Sequence, residues 1–471
     1  MEKAKVSAIP AKKFFVEMLT RDIDLKDAIL DLIDNSLDGA MRQLNNKNNL
    51  KNNDAYKNFH SKLYMNENEF IIQDNCGGIS EKIALTKAFR LGNTDYGDDS
   101  ELPTIGVYGI GMKRAMFKMG RHSKVSTRTN DNEYSVTITP DWLEKDDDWH
   151  LPLEYNSDKL EEIGTKIHIT KLRDGVSRLL GDEVNFQSDL IHLISYHFAI
   201  VINKGFKIYI NDKEIKPNLT ALLFDKSAFE KNDGITPYIY DNYKDGVNIQ
   251  LAVGFYRDLS TEEEDESSLE SKNSSEKAGW TIICNDRVVV YADKTRLTGW
   301  GEAGVPSYHT QFIGIAGVVK FSSNDASKLP VTTTKRGIDG NSELYLAVKD
   351  YMRDGLKTFT IFTNKWKSYG SSKGTVTSFS NASINASSSE ITDLIPHEKW
   401  KINPKEFGGR IYKPHLPIPK ISDKVKNIKF SVDYDDFLLV AEHLFDNPNT
   451  PASELGKKCF EIALNEAIEN E

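Results

Sequence analysis

Apolar residues recur at Leu25, Ala28, Ile29, Leu32, Ile33, Leu37, Ala40 and Met41. That three- and four-residue spacing predicts an amphipathic helix with one buried face. Beside the face runs a polar stripe of Asp24, Asp27, Asp31, Asn35 and Asp38, with Asp31 and Asn35 one turn apart. A carboxylate and a carboxamide at this spacing can share one ligand, which suits a metal and an activated water; a solvated acidic face accounts for the stripe equally well. Further along, Phe70-Ile71-Ile72 predicts a buried strand running into Asp74-Asn75-Cys76-Gly77-Gly78, which leaves a carboxylate at the strand end. The tandem glycines let backbone approach a flat ring closely, and a hairpin turn would use them as well. Next, Gly106-Val107-Tyr108-Gly109-Ile110-Gly111-Met112-Lys113 leads into a predicted helix, and backbone amides at such a junction favour phosphate. Finally, Gly164-Thr165 opens the alternating strand Lys166-Ile167-His168-Ile169-Thr170, with a threonine able to reach a base edge or a structural water.

The glycine-rich run fits three familiar phosphate loops poorly. A Walker loop needs Gly-Lys-Ser/Thr, but Gly111 is followed by Met112 and then Lys113-Arg114. Rossmann and kinase loops need a third glycine where Arg114 stands.

Taken in order, Asp31-x-x-x-Asn35, Asp74-x-x-Gly77-Gly78, Gly106-x-x-Gly109-x-Gly111-x-Lys113 and Gly164-Thr165 resemble the motifs of the GHKL ATPases. That class includes gyrase B, MutL, a heat-shock chaperone, histidine kinases and MORC proteins, and the resemblance covers roughly residues 10 to 215, closest to the MORC-like and MutL-like branches. It implies an α+β chain with a Bergerat-type α/β sandwich binding ATP and Mg2+. Asn35 would ligate the metal and Asp31 would hold the place of the water-activating acid. Asp74, with Gly78 beside it, would take the adenine amine, helped by Thr165. Gly106, Gly109, Gly111 and Lys113 would line the triphosphate under a lid from about Arg90 to Gly106, which Gly92, Asn93 and Thr94 begin. Two letters depart from the family: Asp31 stands where Glu is usual, and Cys76 takes the place of the adenine motif's first glycine. The shorter acid makes slow turnover, or binding without hydrolysis, an expectation in its own right.

Downstream, strand-like runs at 248–253, 281–284, 288–290 and 313–319 predict a second α/β domain over 216–365, interrupted by an acidic, Ser-rich insertion at 260–276. By the same resemblance this is a transducer-like domain, and Lys335 in Leu329-Pro330-Val331-Thr332-Thr333-Thr334-Lys335-Arg336-Gly337 is its phosphate-contacting cation, with Arg336 the alternative. A solvated Lys-Arg pair in a turn is the plainer reading of those letters. Residues 366–392, rich in Ser, Thr and Gly, read as a linker. The remainder, 393–471, reads as a small, mostly helical region for a partner or for dimerisation, with helices near Tyr434–Phe445 and from Thr450-Pro451 onward.

Composition narrows the class. With 471 residues and 39% hydrophobic content the chain suits a globular protein of about three domains. No apolar run approaches the roughly 20 residues of a membrane span, Met1 to Pro10 lacks a signal-peptide core, and the cysteines are unpaired in spacing, so a cytoplasmic location is expected. A net charge of −10 does not favour constitutive nucleic-acid binding, which leaves DNA contact to local patches such as Lys118-Arg121-Lys124-Arg128. The resemblance implies a nucleotide-dependent homodimer that closes its lid over Mg-ATP and passes the change to its C-terminal region. The MORC-like branch suggests a DNA-related or anti-phage role. An ATP-gated scaffold or chaperone with little hydrolysis is the alternative.

Overall fold

The computed structural model describes residues 11–44, 54–90, 110–145, 148–155, 159–225, 234–257, 276–332, 337–368, 384–386, 388–402, 409–417 and 428–469. The chain divides into two compact units, one of residues 1–365 and 371–418 and the other of 366–370 and 419–471.

The first unit is built on two sheets. One has eight strands, β1 (His60–Met65), β2 (Phe70–Asp74), β3 (Gly120–Arg128), β4 (Glu133–Ile138), β5 (Leu153–Tyr155), β6 (Gly164–Leu172), β7 (Lys207–Ile210) and β8 (Lys213–Glu214), in the order β5-β4-β3-β6-β2-β1-β7-β8. Its pairings are antiparallel except for β1 with β7. Along β1, Ser61, Leu63 and Met65 are buried while Lys62 and Tyr64 are not, the alternation of a sheet with one covered face. The helices α1 (Lys12–Arg21), α2 (Leu25–Leu44), α3 (Glu81–Ile83), α4 (Gly111–Met119), α5 (Pro140–Glu144), α6 (Asp174–Leu180), α7 (Ser188–His197) and α8 (Ala199–Asn203) accompany it. Ile29, Leu32, Ile33 and Leu37 of α2, Met116 of α4 and Ile194 of α7 share one core with Leu63, Phe70, Ile72, Val125 and Ile169 of the strands. Each such side chain contributes about 1.5–3 kcal/mol by leaving water. Asp24 starts α2, its carboxylate accepting the Lys26 N–H at 2.8 Å in the manner of an N-cap.

The second sheet contains β10 (Tyr238–Lys244), β11 (Val247–Phe255), β12 (Gly279–Cys284), β13 (Arg287–Asp293) and β14 (Ile315–Ser322), joined by β16 (Lys401–Ile402) and β17 (Arg410–Tyr412), in the order β13-β12-β14-β11-β10-β17-β16. The four strand-like runs expected between 248 and 319 are thus β11, β12, β13 and β14. A separate pair joins β9 (Leu222–Phe224) to β15 (Ile384–Ala386), inside the stretch expected to be linker. The helix Glu343–Ser368 likewise runs past the expected boundary at 365.

Residues 401–402 and 410–412 supply β16 and β17, and β17 pairs with β10 at the edge of that sheet. Helical expectation holds further on. In the second unit, Tyr434–Phe445, capped by the Asp433 carboxylate, and Ala452–Glu469 form a helical pair that buries Ala441 and Leu455.

Candidate functional site

From Ala28 to Met41 every residue of α2 is buried except Asn35, which is exposed. The acidic stripe is therefore solvated at Asp24 and enclosed at Asp31 and Asp38. Asp31, Asp34 and Asp38 are enclosed, and between Ala28 and Met41 the helix opens to its surroundings at one carboxamide. One turn before it, Asp31 is 3% exposed and its Oδ2 accepts a hydrogen bond from Arg114 Nη2 at 2.7 Å. The first residue of α4 closes on the same carboxylate, since a Cβ on Gly111 would sit 3.4 Å from Asp31 Oδ2.

The strand end at Asp74 faces the same helix. Its Oδ2 accepts from Ser36 Oγ at 2.9 Å, and its Oδ1 accepts the Cys76 N–H at 2.9 Å and the Thr165 N–H at 3.3 Å. Burial pushes the carboxyl above its ordinary value, while these three donors hold it down in part. The surroundings of Asp74 on the sheet follow from register. Thr127 on β3 lies opposite Thr165 on β6, with hydroxyl oxygens 3.5 Å apart, and Thr127 Oγ1 also accepts the Ile79 N–H at 2.8 Å. Gly78 adopts φ +71, where glycine is favoured, and its own Cβ position would meet the Arg128 carbonyl at 2.3 Å. Gly164 lies tighter still, since a Cβ there would stand 1.9 Å from the Asp74 carbonyl oxygen.

Lys113 is 3% exposed and donates from Nζ to the Ala88 carbonyl at 2.7 Å. Burial lowers its pKa to about 8. Cys76 is buried, and burial raises its thiol well above the ordinary value, as suits a packing residue rather than a nucleophile.

Asp31, Asn35, Asp74, Gly78, Gly111, Lys113 and Thr165 thus come from four separate stretches onto α2, α4 and the ends of β2 and β6. Gly92, Asn93, Thr94, Gly106, Gly109, Lys335, Arg336, the segment Met1 to Pro10 and most of the acidic insertion lie outside the described residues. Three contributors escaped the sequence reading. Ser36 is flagged only by its place next to Asn35, Thr127 only by its register, and Arg114 by nothing in the spacing, because its partner is 83 positions away.

Among the described residues, no group of three or more His, Cys, Asp or Glu side chains is placed to hold a metal. An exposed carboxamide with no such cage fits Mg2+, which keeps waters and is completed by substrate phosphates. It fits a transition metal or a structural zinc poorly.

The site thus joins a helix-covered, mostly antiparallel sheet, a buried carboxylate at a strand end and an open carboxamide on the helix beside it, in an α/β sandwich. Residues 23–170 match the family of histidine kinase-, DNA gyrase B- and HSP90-like ATPases, and this part of the chain is a GHKL ATPase domain. A comparison with curated proteins finds no match. Among the described residues, no helix is long and apolar enough to cross a membrane.

Proposed function

We propose that the chain binds Mg-ATP at this site and hydrolyses it slowly, using the cycle to change conformation. The observation that carries the reading is Asn35, the one exposed residue of α2 between Ala28 and Met41, next to Ser36, which with Cys76 and Thr165 already orients the Asp74 carboxylate. A carboxylate so held is an acceptor for an exocyclic amine, and the close approach of Gly78 leaves backbone beside the ring. Asn35 would hold Mg2+, whose charge offsets that of the phosphates when bound. Lys113 and the amides at the start of α4 are suited to phosphate oxygens.

In the chemical step, water attacks the terminal phosphorus, the bond to the departing ADP oxygen breaks, and the water proton passes to Asp31. Its Oδ2 is occupied by Arg114, and among the described residues its Oδ1 accepts no hydrogen bond, so Oδ1 is the atom that takes the proton. Lid closure over 90–106, a cation from Lys335, dimerisation through the N-terminal segment and a transducer role for the second sheet complete the cycle. A DNA-related or anti-phage setting is consistent with the ATPase class and rests on analogy alone.

A second reading, an ATP-gated scaffold that barely hydrolyses, is favoured by one observation: the short Asp31 side chain is already engaged by Arg114. Phosphate release measured beside Mg-ATP affinity separates the two. For Asp31→Asn, the hydrolase reading expects a fall in kcat of roughly 100- to 10,000-fold with binding retained. Equal turnover in wild type and variant would remove Asp31 from the chemistry.

A further inference from the structure

Asp34 lies in the sequence between the acid Asp31 and the metal-binding candidate Asn35, and its carboxylate meets the second sheet. Its Oδ1 accepts from Arg287 Nε at 2.7 Å, and both side chains are fully buried. Arg287 is the first residue of β13 in the second sheet, 253 positions from its partner. Its guanidinium carbon lies 4.0 Å from the centre of the Phe198 ring, and its Nη1 donates to the Val288 carbonyl at 3.1 Å. The same carbonyl accepts from His197 Nδ1 at 2.6 Å.

Arg287 stands at the tip of the β12–β13 hairpin. The two turn residues, Asn285 and Asp286, have φ of 47 and 65, as a type I′ turn requires, so the tip is a defined object rather than a loose loop. Asp286 is clamped by Lys204, beyond α8 of the first sheet's layer, at 2.5 Å and by Lys320 of β14 at 2.8 Å. Burial would raise its carboxyl, but the two ammonium groups outweigh that and hold it below the usual range. One hairpin tip therefore meets α2, α7 and the end of α8 through three polar contacts.

A buried ion pair adds little net stability, because desolvation offsets most of the attraction, and an apolar pair of similar volume often folds as well. What it does supply is fixed orientation. We propose that Arg287 is a positioning residue for the nucleotide site: through Asp34 it sets the pose of α2, and so of Asp31 and Asn35, and it couples that pose to the second sheet. This rests on the reading of the site as one for Mg-ATP.

The test replaces both partners, Asp34→Leu with Arg287→Met, in the full chain. Mg-ATP affinity and amide exchange over 284–288 are measured with and without a non-hydrolysable analogue. In the wild type, the analogue should change exchange at the hairpin by about 2- to 30-fold, the range of ordinary couplings between sites. The double variant should lose that response, and its Mg-ATP affinity should fall by about 2- to 30-fold as the pose of Asn35 is lost, with binding retained because Asp74 and Thr165 are untouched by the pair. Arg287→Lys keeps the charge but not the planar fork or the stacking on Phe198, and should lower the response without abolishing it; it also serves if the double variant does not fold. A folded variant with the full wild-type response overturns the proposal. So does a wild type that binds Mg-ATP with no change at the hairpin, which leaves the ATP site itself standing. A wild type that binds no nucleotide overturns both.

Discussion

Lys113 is the residue whose chemistry is most exposed to test. Its pKa of about 8 leaves close to half of the side chain neutral at pH 8. Phosphate oxygens favour the charged ammonium and would raise that pKa, so binding ATP should draw a proton from solvent at pH 8 and almost none near pH 6. Calorimetric titration in buffers of different ionisation enthalpy reads this directly. The Lys113→Met variant should show no such uptake; if its uptake matches the wild type, Lys113 does not meet the phosphates. Asp31 raises a different question, because Arg114 Nη2 holds its outer oxygen and the Arg114 Nε makes no hydrogen bond among the described residues. No spacing rule reaches such a pair, so Asp31 was legible in the sequence while its partner Arg114 had to be found in space.

Among the elements, periodicity was a good guide wherever one face is buried. The helix read from Leu25 to Met41 is α2, the strand at Phe70 is β2, and the strand opened by Gly164-Thr165 is β6. Their junction was less legible. Asp74, Ser36 and Thr165 meet because β6 and α2 close on the end of β2, and Gly164 is the position that lets them do so. A methyl group there would collide with the Asp74 carbonyl, so Gly164→Ala should destabilise the fold by about 1–3 kcal/mol and weaken ATP binding with it. Thermal unfolding with and without nucleotide checks both, and an unaffected variant would mean that this approach is looser than described. Strand partners far apart in the chain, β9 with β15 and β10 with β17, were not legible at all. Composition marks a Ser-rich or Pro-rich segment as irregular, but it carries no signal of which distant edge will accept it.

In the whole molecule, the GHKL ATPase domain over residues 23–170 meets the seven-stranded sheet at the buried contact of Asp34 with Arg287. Dimerisation is the remaining output of the proposed cycle. On α1, Phe14 is 64% exposed and Met18 53%, an apolar pair that a second copy can cover. Molecular mass measured with the non-hydrolysable analogue should double for the wild type and stay at one chain for Phe14→Glu with Met18→Glu, with Mg-ATP affinity of the single chain retained. A doubled mass in that variant would move the interface elsewhere. The central claim is simpler than any of these and rests on the opening of α2 at Asn35. Its most direct test is equilibrium binding of Mg-ATP to the wild type and to Asn35→Ala, with folding checked by thermal melting: the account predicts binding by the wild type and a loss of at least roughly tenfold in the folded variant, whereas wild-type affinity in Asn35→Ala would contradict it.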